Sequence, residues 1–227
     1  MVVLLFDIDG TLLLTGGAGL ASLRGAMRDE FGVTDPFQVE LSGRTDRGIA
    51  AELFERHAIE NCEHNWQRFR DAYLRQLAVE LPQRQGSVLP GVASLLATLA
   101  VTPDVALGLL TGNVRQGAAL KLEHYRLHGF FSFGGFGDEH AHRDLVAAAA
   151  LQSARRHLNS PHRDVWVIGD TPLDVRCARA IGARSLAVAT GSHPADELRA
   201  CEPDLLVPTL ESADDFLQRI ATAPRPK

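Results

Sequence analysis

The sequence predicts an α/β fold in which a doubly wound parallel sheet carries a small all-helical domain. Short apolar runs with strand character alternate with helical patterns after residue 86, and short loops join them. This alternation is typical of a parallel sheet with helices on both faces. One more apolar run lies at the N-terminus, and no strand signal follows it from residue 15 to 86. We therefore expect a core domain formed by residues 1–14 and 87–227 and a helical domain formed by residues 15–86.

The first strand and the turn that ends it span Val2 to Leu12, with the sequence V-V-L-L-F-D-I-D-G-T-L. Its apolar run is too short to cross a membrane and suits a strand buried on both faces of a parallel sheet. The run ends in two acids, Asp7 and Asp9. They either form a simple polar turn with Gly10 or bind a divalent cation. A cation would neutralise them, since like charges repel and a buried carboxylate without a partner is costly, and both interpretations stay open at this point.

The helical domain begins with a Gly-rich segment, Thr15 to Gly19, which we expect to be a loop or hinge. Apolar residues at helical spacing, together with start and stop signals, then predict three helices. These are Leu20 to Phe31, Thr45 or Asp46 to about His57, and Glu63 to Leu81.

The core domain is predicted to continue with alternating helices and strands. In chain order these are a helix at Val92–Leu99, a strand at Val105–Leu110, a helix at Arg115–Tyr125, a short strand at Phe130–Phe136, a helix at Arg143–His157, a strand at Val165–Ile168, a helix at Leu173–Ile181, and strands at Arg184–Val188 and Leu205–Val207. The Pro-rich tail from Ala223 is predicted to be frayed.

Composition excludes several classes of function. The net charge of −5 gives no basic surface for nucleic acid and no attraction to an anionic membrane. No apolar run is long enough for a transmembrane helix, and no basic region precedes the first strand as in a signal peptide. Cys62, Cys177 and Cys201 form no C-x-x-C pair, so we expect reduced thiols in a cytoplasmic protein. The remaining candidate metal ligands, His124, His128, His140 and His142, are interpreted as surface histidines because no third ligand is evident.

Three predicted strands end in polar clusters. The clusters are Asp7 with Asp9, Thr111-Gly112-Asn113, and Asp170 with Asp174. In a parallel sheet these ends lie at one edge, where open α/β sheets bind ligands. Thr111 and Asn113 could hold phosphate oxygens at the start of a helix, or could simply cap that helix. Asp174 could reach a shared cation through water, or could only favour the N-terminus of its helix.

The three clusters resemble motifs of the haloacid dehalogenase-like (HAD) superfamily. D-x-D-G-T-L at Asp7, L-L-T-G-N at Thr111 and V-I-G-D-T-x-x-D at Asp170 are similar to its first, second and fourth motifs, in order and at ordinary separations. The helical segment between the first two motifs resembles the cap of phosphoglycolate phosphatase-like members. The resemblance implies a HAD-like core, a cap over the active site, and Mg²⁺ as the cofactor.

The resemblance also implies roles for single residues. Asp7 would be the nucleophile and Asp9 the general acid and base, while Thr111 would hold the transferring group. Metal contacts would come from Asp7, the backbone carbonyl of Asp9, Asp170 and, through water, Asp174. Substrate contacts would come from Gly10, Gly112, Asn113 and Arg44.

The sequence departs from the family pattern at one position. The family has a cation between the second and fourth motifs, normally a lysine near a helix start, but Gly137 to Arg143 contains none. Arg143 is the best positional match, and a guanidinium can donate two parallel hydrogen bonds to a phosphate. Lys121 is the rival. We favour Arg143 and expect Lys121 to be dispensable; for each, the alternative is a solvated helix face.

Ser42-Gly43-Arg44 resembles the substrate-contacting loop of this cap type. Arg44 would then bind a carboxylate or a second anionic group of the substrate, and its alternative role is a surface charge at a turn.

The sequence thus predicts a Mg²⁺-dependent phosphomonoester hydrolase acting on a small phosphorylated metabolite, phosphoglycolate-like, through an aspartyl-phosphate. The expected partner is a small phosphate ester, with no nucleic acid and no membrane, and the chain is expected to be a monomer or a weak homodimer. A sugar-phosphate mutase on the same scaffold and a non-catalytic binding member remain as alternatives. A haloacid dehalogenase is disfavoured, because it needs neither an acid at Asp9 nor a cation.

Overall fold

The computed structural model describes residues 1–34, 39–158 and 164–211, together with Phe216, Gln218 and Ile220. The strands of this part of the chain are β1 (Val2–Phe6), β2 (Leu13–Leu14), β3 (Ser87–Val88), β4 (Val105–Leu110), β5 (Phe133–Gly135), β6 (Asp164–Gly169), β7 (Arg184–Val188) and β8 (Leu205–Val207). Its α-helices are α1 (Ala18–Phe31), α2 (Asp46–Arg56), α3 (Glu63–Glu80), α4 (Val92–Val101), α5 (Arg115–His124), α6 (Arg143–His157), α7 (Pro172–Ala180) and α8 (Ala195–Ala200).

Within the described ranges, six strands form a parallel sheet in the order β5-β4-β1-β6-β7-β8. Strand β1 lies between β4 and β6, with Leu4 paired to Leu107 on one side and to Trp166 on the other. The chain runs from the centre to one edge and then to the other, so the strand order reverses next to β1. A ligand site is expected outside the carboxyl ends of the strands at this point. The predicted doubly wound α/β fold is confirmed.

The alternation of side chains along β1 explains why its sequence is apolar throughout. Val3 and Leu5 point to one face of the sheet and pack with residues of α6 and α7. Leu4 and Phe6 point to the other face and pack with α4 and α5. Both faces are therefore covered, and all four side chains are at most 1% exposed. Burial of this kind stabilises by about 1.5–3 kcal/mol per large apolar side chain.

The helical insertion α1–α3 lies between β2 and β3, which pair antiparallel. It has a separate apolar cluster that includes Phe54, Phe69 and Tyr73. Val114, just before α5 of the core, joins the same cluster. The insertion therefore packs on the core next to the second polar strand end. The boundaries 1–14, 15–86 and 87–227 stay a prediction.

Several predicted elements differ from the structure in extent. Helix α1 begins at Ala18 and not at Leu20, because Gly17 adopts a left-handed conformation with φ of 87° at its start and so serves as the N-cap. The aromatic stretch predicted as one strand divides into a 3₁₀ turn at His128–Phe130 and the shorter β5. Helix α8 was not predicted. The Pro-rich tail lies outside the described residues.

The helices of the described ranges are unlike those that span a membrane. No helix in the described ranges combines the length and the apolar character that crossing a bilayer requires.

Candidate active site

A cavity of about 730 Å³ lies between the carboxyl ends of the central strands and the helical insertion. It is lined by Asp7, Asp9, Gly10, Gly112, Asn113, Lys121, Arg143 and Asp170 on the core side. The structure thus brings residues from all three polar strand ends to one place, as the parallel sheet requires. Thr111 and Asp174 lie behind this lining, and both are buried.

Asp7 directly follows β1 and is buried, with 4% of its surface exposed. Its backbone amide donates to the carbonyl of Ile168 on β6 at 2.9 Å, which fixes the strand end. Its carboxylate lies 3.0 Å from Nη2 of Arg143. Burial raises the pKa of Asp7 to about 6, and the charge of Arg143 opposes this rise. Asp7 is therefore a desolvated carboxylate held in a fixed position, as a nucleophile requires.

The turn after Asp9 requires glycine. Gly10 has φ of +83°, and a Cβ there would lie 2.3 Å from Oδ2 of Asp170. The carbonyl of Gly10 accepts a hydrogen bond from Oγ1 of Thr190 at 2.6 Å. Next to it, the Thr11 hydroxyl donates to Oδ1 of Asp170 at 3.0 Å. The turn therefore holds the first and third strand ends against each other.

Asp7, Asp170 and Asp174 form a buried group of three carboxylates whose nearest oxygens lie within 4.8 Å of one another. Burial raises the pKa of Asp170 to about 8, and the charges of Asp7 and Asp174 add to this rise. Arg143 neutralises part of the charge of this group, and a further cation would be needed to neutralise the rest. Carboxylate oxygens are the ligands that Mg²⁺ and Ca²⁺ prefer. The cluster could hold a divalent metal ion, and its chemistry fits one.

The side chain of Asp174 has two further partners. Thr171 donates to its Oδ2 from the backbone amide at 3.0 Å and from the hydroxyl at 2.7 Å, which forms a capping box at the start of α7. Its Oδ1 accepts from Nη2 of Arg143. The structure therefore supports the helix-terminal role of Asp174, and it adds a direct ion pair that sequence reasoning did not anticipate.

The carboxylate of Asp9 lies outside this acidic group, since Asp7, Asp170 and Asp174 alone make it up among the described residues. Asn113 donates to Oδ2 of Asp9 at 2.8 Å, and Nζ of Lys121 lies 2.8 and 2.7 Å from its two oxygens. The side chain of Asp9 keeps 41% of its surface exposed, on the cavity. It is therefore free to meet the leaving group of a ligand.

The second strand end is held by local hydrogen bonds. The Thr111 hydroxyl accepts from Nδ2 of Asn113 at 2.7 Å. Further along, Val114 donates its amide to Asp46 and Arg115 donates its amide to Asp138, each at 2.8 Å. A contact of Thr111 or Asn113 with phosphate oxygens stays a prediction. Gly112 and Asn113 remain on the cavity surface.

Both candidate cations lie at the site. Arg143 is 3% exposed and pairs with Asp7 and Asp174, while Nη1 donates to the carbonyl of Gly43 in the insertion at 2.8 Å. Lys121 is also 3% exposed and pairs with Asp9, and it donates to Oδ1 of Asn113 at 2.6 Å. The alternative of a solvated helix face is wrong for both. The expectation that Lys121 is dispensable loses its basis, because the two cations serve different acids.

Arg44 lines the cavity, but its guanidinium contacts other residues of the insertion. It pairs with Glu52, and it donates to the carbonyls of Glu40 and Gly48 at 3.2 Å each. The hydrogen bond that Arg44 donates to Glu52 lowers the pKa of the Glu52 carboxyl. A contact between Arg44 and a substrate stays a prediction.

Two groups of residues that line the cavity were not predicted from the sequence. Asp46 is a buried carboxylate at the first turn of α2, and burial raises its pKa to about 6. Its sequence signal was only that of an acid at a helix start. Thr190, Gly191 and Ser192 follow β7. Extending the strand-end argument to this fourth strand would have found them.

Residues 4–188 match the family described as haloacid dehalogenase-like hydrolases, so this chain belongs to that family. "Probable phosphatase IndB" of Dickeya dadantii is 26% identical over 98% of this chain and 97% of its own length. The phosphoglycolate phosphatase of Synechococcus elongatus is 30% identical over 97% of both chains. A hydrolase from Pseudomonas syringae shares the fold, with a TM-score of 0.75 at 20% identity, over 97% of this chain and 99% of its own. The protein is an enzyme, a phosphatase of the haloacid dehalogenase-like family.

Replacing either cation tests their separate roles. We expect Arg143→Ala to lower kcat by about 10²-fold or more, because it removes charge stabilisation beside Asp7. Arg143→Lys is the matched control that keeps the charge, and it should retain more activity than Arg143→Ala. We expect Lys121→Ala to reduce kcat as well and to change the pH profile, because Lys121 contacts Asp9. Circular dichroism should establish that each variant is folded. An Arg143→Ala enzyme as active as wild type would assign the essential charge to Lys121 alone.

Proposed function

We propose that the protein is a Mg²⁺-dependent phosphomonoester hydrolase that acts on a small phosphorylated metabolite through an aspartyl-phosphate. The observation that carries this proposal is the position of Asp7, which is buried, ion-paired with Arg143 and among the residues that line the cavity. The acids and cations beside it support the same chemistry. The family and the curated relatives support a phosphate ester as the substrate.

In the proposed mechanism, an oxygen of Asp7 attacks phosphorus and the ester P–O bond breaks. Asp9 gives its proton to the departing alkoxide, which leaves as an alcohol. A water molecule then attacks the phosphorus of the aspartyl-phosphate while Asp9 takes up one of its protons. The P–O bond to Asp7 breaks, and inorganic phosphate is released. Asp9 is suited to both transfers, since its side chain lines the cavity and keeps 41% of its surface exposed.

Other residues would position the reacting groups. Arg143 would hold Asp7 and the equatorial phosphoryl oxygens, while Asn113 and Lys121 would orient Asp9. Asp7 and Asp170, with the carbonyl of Asp9 and with Asp174 behind them, would hold the cation. A bound Mg²⁺ would supply charge neutralisation for nucleophile and phosphate. The insertion, residues 15–86, would act as a cap that excludes bulk water and selects the substrate.

A screen over small phosphorylated metabolites tests the proposal, with release of inorganic phosphate as the readout. Phosphoglycolate belongs in the panel, because the relative from Synechococcus elongatus carries that name. Hydrolysis of several esters in the presence of Mg²⁺, without a bisphosphate activator, is expected. Turnover that requires a bisphosphate and yields an isomeric sugar phosphate would instead establish the mutase alternative. A folded protein that hydrolyses no ester would favour the binding role.

The role of Arg44 is open to a separate test. Since its guanidinium is engaged by Glu52, we expect Arg44→Ala to change kcat/KM for phosphoglycolate and for phenyl phosphate by the same small factor. A partly exposed ion pair contributes about 0.2–1 kcal/mol to stability, so the variant should remain folded. The comparison of the two substrates is the measurement. A selective loss for phosphoglycolate would show that Arg44 binds the carboxylate.

A further inference from the structure

The side of the cavity that the insertion contributes is mainly apolar. We call it the insert wall; it comprises Leu20, Leu23, Val39, Leu41, Ile49 and Tyr73 of the insertion, together with Leu14 of the preceding strand β2. The first two helices, α1 and α2, supply three of these side chains, and α3 supplies Tyr73. The part of a substrate that is not phosphate would meet this wall.

The charged groups beside the insert wall do not suit a second anion. Glu40 and Asp46 are acids, and among the described lining residues of the insertion the cation is Arg44. Arg44 is paired with Glu52, as described above. The two acids would repel a further carboxylate or phosphate there, and Arg44 would have to share its charge between that anion and Glu52, so burying the anion would be costly.

The two cations of the core are engaged as well. Lys121 contacts both oxygens of Asp9 and Oδ1 of Asn113, which matches the three donors of an ammonium group. Arg143 contacts Asp7, Asp174 and the Gly43 carbonyl. These contacts place both charges beside Asp7 and Asp9, at the phosphate end of the proposed site.

The size of the cavity points in the same direction. At about 730 Å³ it is in the range of pockets that enclose a drug-sized ligand. A two-carbon acid such as glycolate would leave most of the insert wall uncovered.

We propose that the preferred substrates are monoesters of an uncharged, largely apolar alcohol, such as an aryl or medium-chain alkyl phosphate, and not esters that carry a carboxylate. This inference rests on the proposed phosphatase function and specifies its substrate class. Contact with the insert wall would supply the binding energy, and the phosphate would provide the orientation.

The test compares four esters on the full-length protein with Mg²⁺ at one pH: ethyl, n-hexyl and phenyl phosphate, and phosphoglycolate. Each methylene that reaches the insert wall should raise kcat/KM about fourfold. We therefore expect n-hexyl phosphate to exceed ethyl phosphate by about tenfold or more, and phenyl phosphate to exceed phosphoglycolate by a similar factor. Phosphoglycolate as the best of the four would overturn the inference.

Two variants of the wall make the test specific. Leu20 is only partly buried, so its replacement should leave the fold intact. Leu20→Lys should lower kcat/KM for n-hexyl phosphate by about tenfold and raise it for phosphoglycolate, while Leu20→Met should preserve the wild-type preference. Glu52→Gln removes the negative charge that pairs with Arg44. It should likewise raise kcat/KM for phosphoglycolate.

The outcomes separate the two proposals. Equal effects of Leu20→Lys on all four esters would show that the insert wall does not contact substrate, although the enzyme remains a phosphatase. If none of the esters is hydrolysed by the folded protein, the proposed function fails, and the inference on substrate class fails with it.

Discussion

Asp7→Asn is expected to abolish phosphate release while leaving the fold intact. The amide has the same shape but is not a nucleophile, and kcat should fall to less than about 10⁻³ of the wild-type value. The fold should tolerate the change, because Arg143 keeps Asp174 as a partner and one of three crowded buried carboxylates becomes neutral. The measurements are a phosphate-release assay and a thermal melt.

A matched control for this variant is Asp71→Asn. Asp71 is an exposed acid of α3 that pairs with its neighbour Arg70, far from the strand ends. Its replacement should change neither kcat nor the melting temperature measurably. An Asp7→Asn protein that is folded and hydrolyses ester at the wild-type rate would rule out the aspartyl-phosphate mechanism.

Removal of Mg²⁺ is expected to have an effect of similar size. The buried acids Asp7, Asp170 and Asp174 lie together, and without a cation their charges oppose one another. Exhaustive chelation should therefore abolish turnover, and added Mg²⁺ should restore it. Asp170→Asn should weaken Mg²⁺ binding, measured by calorimetry. Full activity after chelation would contradict the prediction.

The pH dependence of Mg²⁺ binding follows from the same carboxylates. The pKa values of Asp7 and Asp170 are raised to about 6 and about 8, mainly by burial. A proton must leave each acid before the ion binds, so affinity should increase from pH 6 to about pH 8, with proton release. Because these pKa values lie above the ordinary value of 3.8, their contribution to stability is fully present below about pH 4 and is lost as pH rises from there to about 6 for Asp7 and to about 8 for Asp170. The gain in melting temperature on adding Mg²⁺ should accordingly be larger at pH 8.5 than at pH 6.

The position of the site could be predicted from the sequence because it depends on strand ends. An apolar run followed by Asp7 and Asp9 fixes where β1 stops, and parallel pairing then places Asn113 and Asp170 beside it. These relations need only the period of the strands and the handedness of their connections.

The partners of the helical residues could not be predicted in this way. Lys121 lies on α5, whose sequence shows no clear separation of a solvated face from a buried one. It is buried because the insertion packs on the same helix, as the membership of Val114 and Leu120 in the apolar cluster of the insertion shows. At the start of α5, the amides of Val114 and Arg115 donate to acids distant in sequence, Asp46 and Asp138. Such pairings depend on tertiary packing, which periodicity does not contain.

The hydrogen bond from Arg143 to the carbonyl of Gly43 has a consequence for timing. The same guanidinium holds Asp7 and reaches the insertion, so any outward swing of the insertion breaks this bond and leaves a buried donor short of an acceptor. If substrate enters and alcohol leaves by such a swing, ligand exchange would involve a brief loosening of the guanidinium that holds Asp7, the proposed nucleophile. The catalytic cycle would alternate between a state that exchanges ligands and a state that reacts, and the enzyme would not be fully competent for both at once.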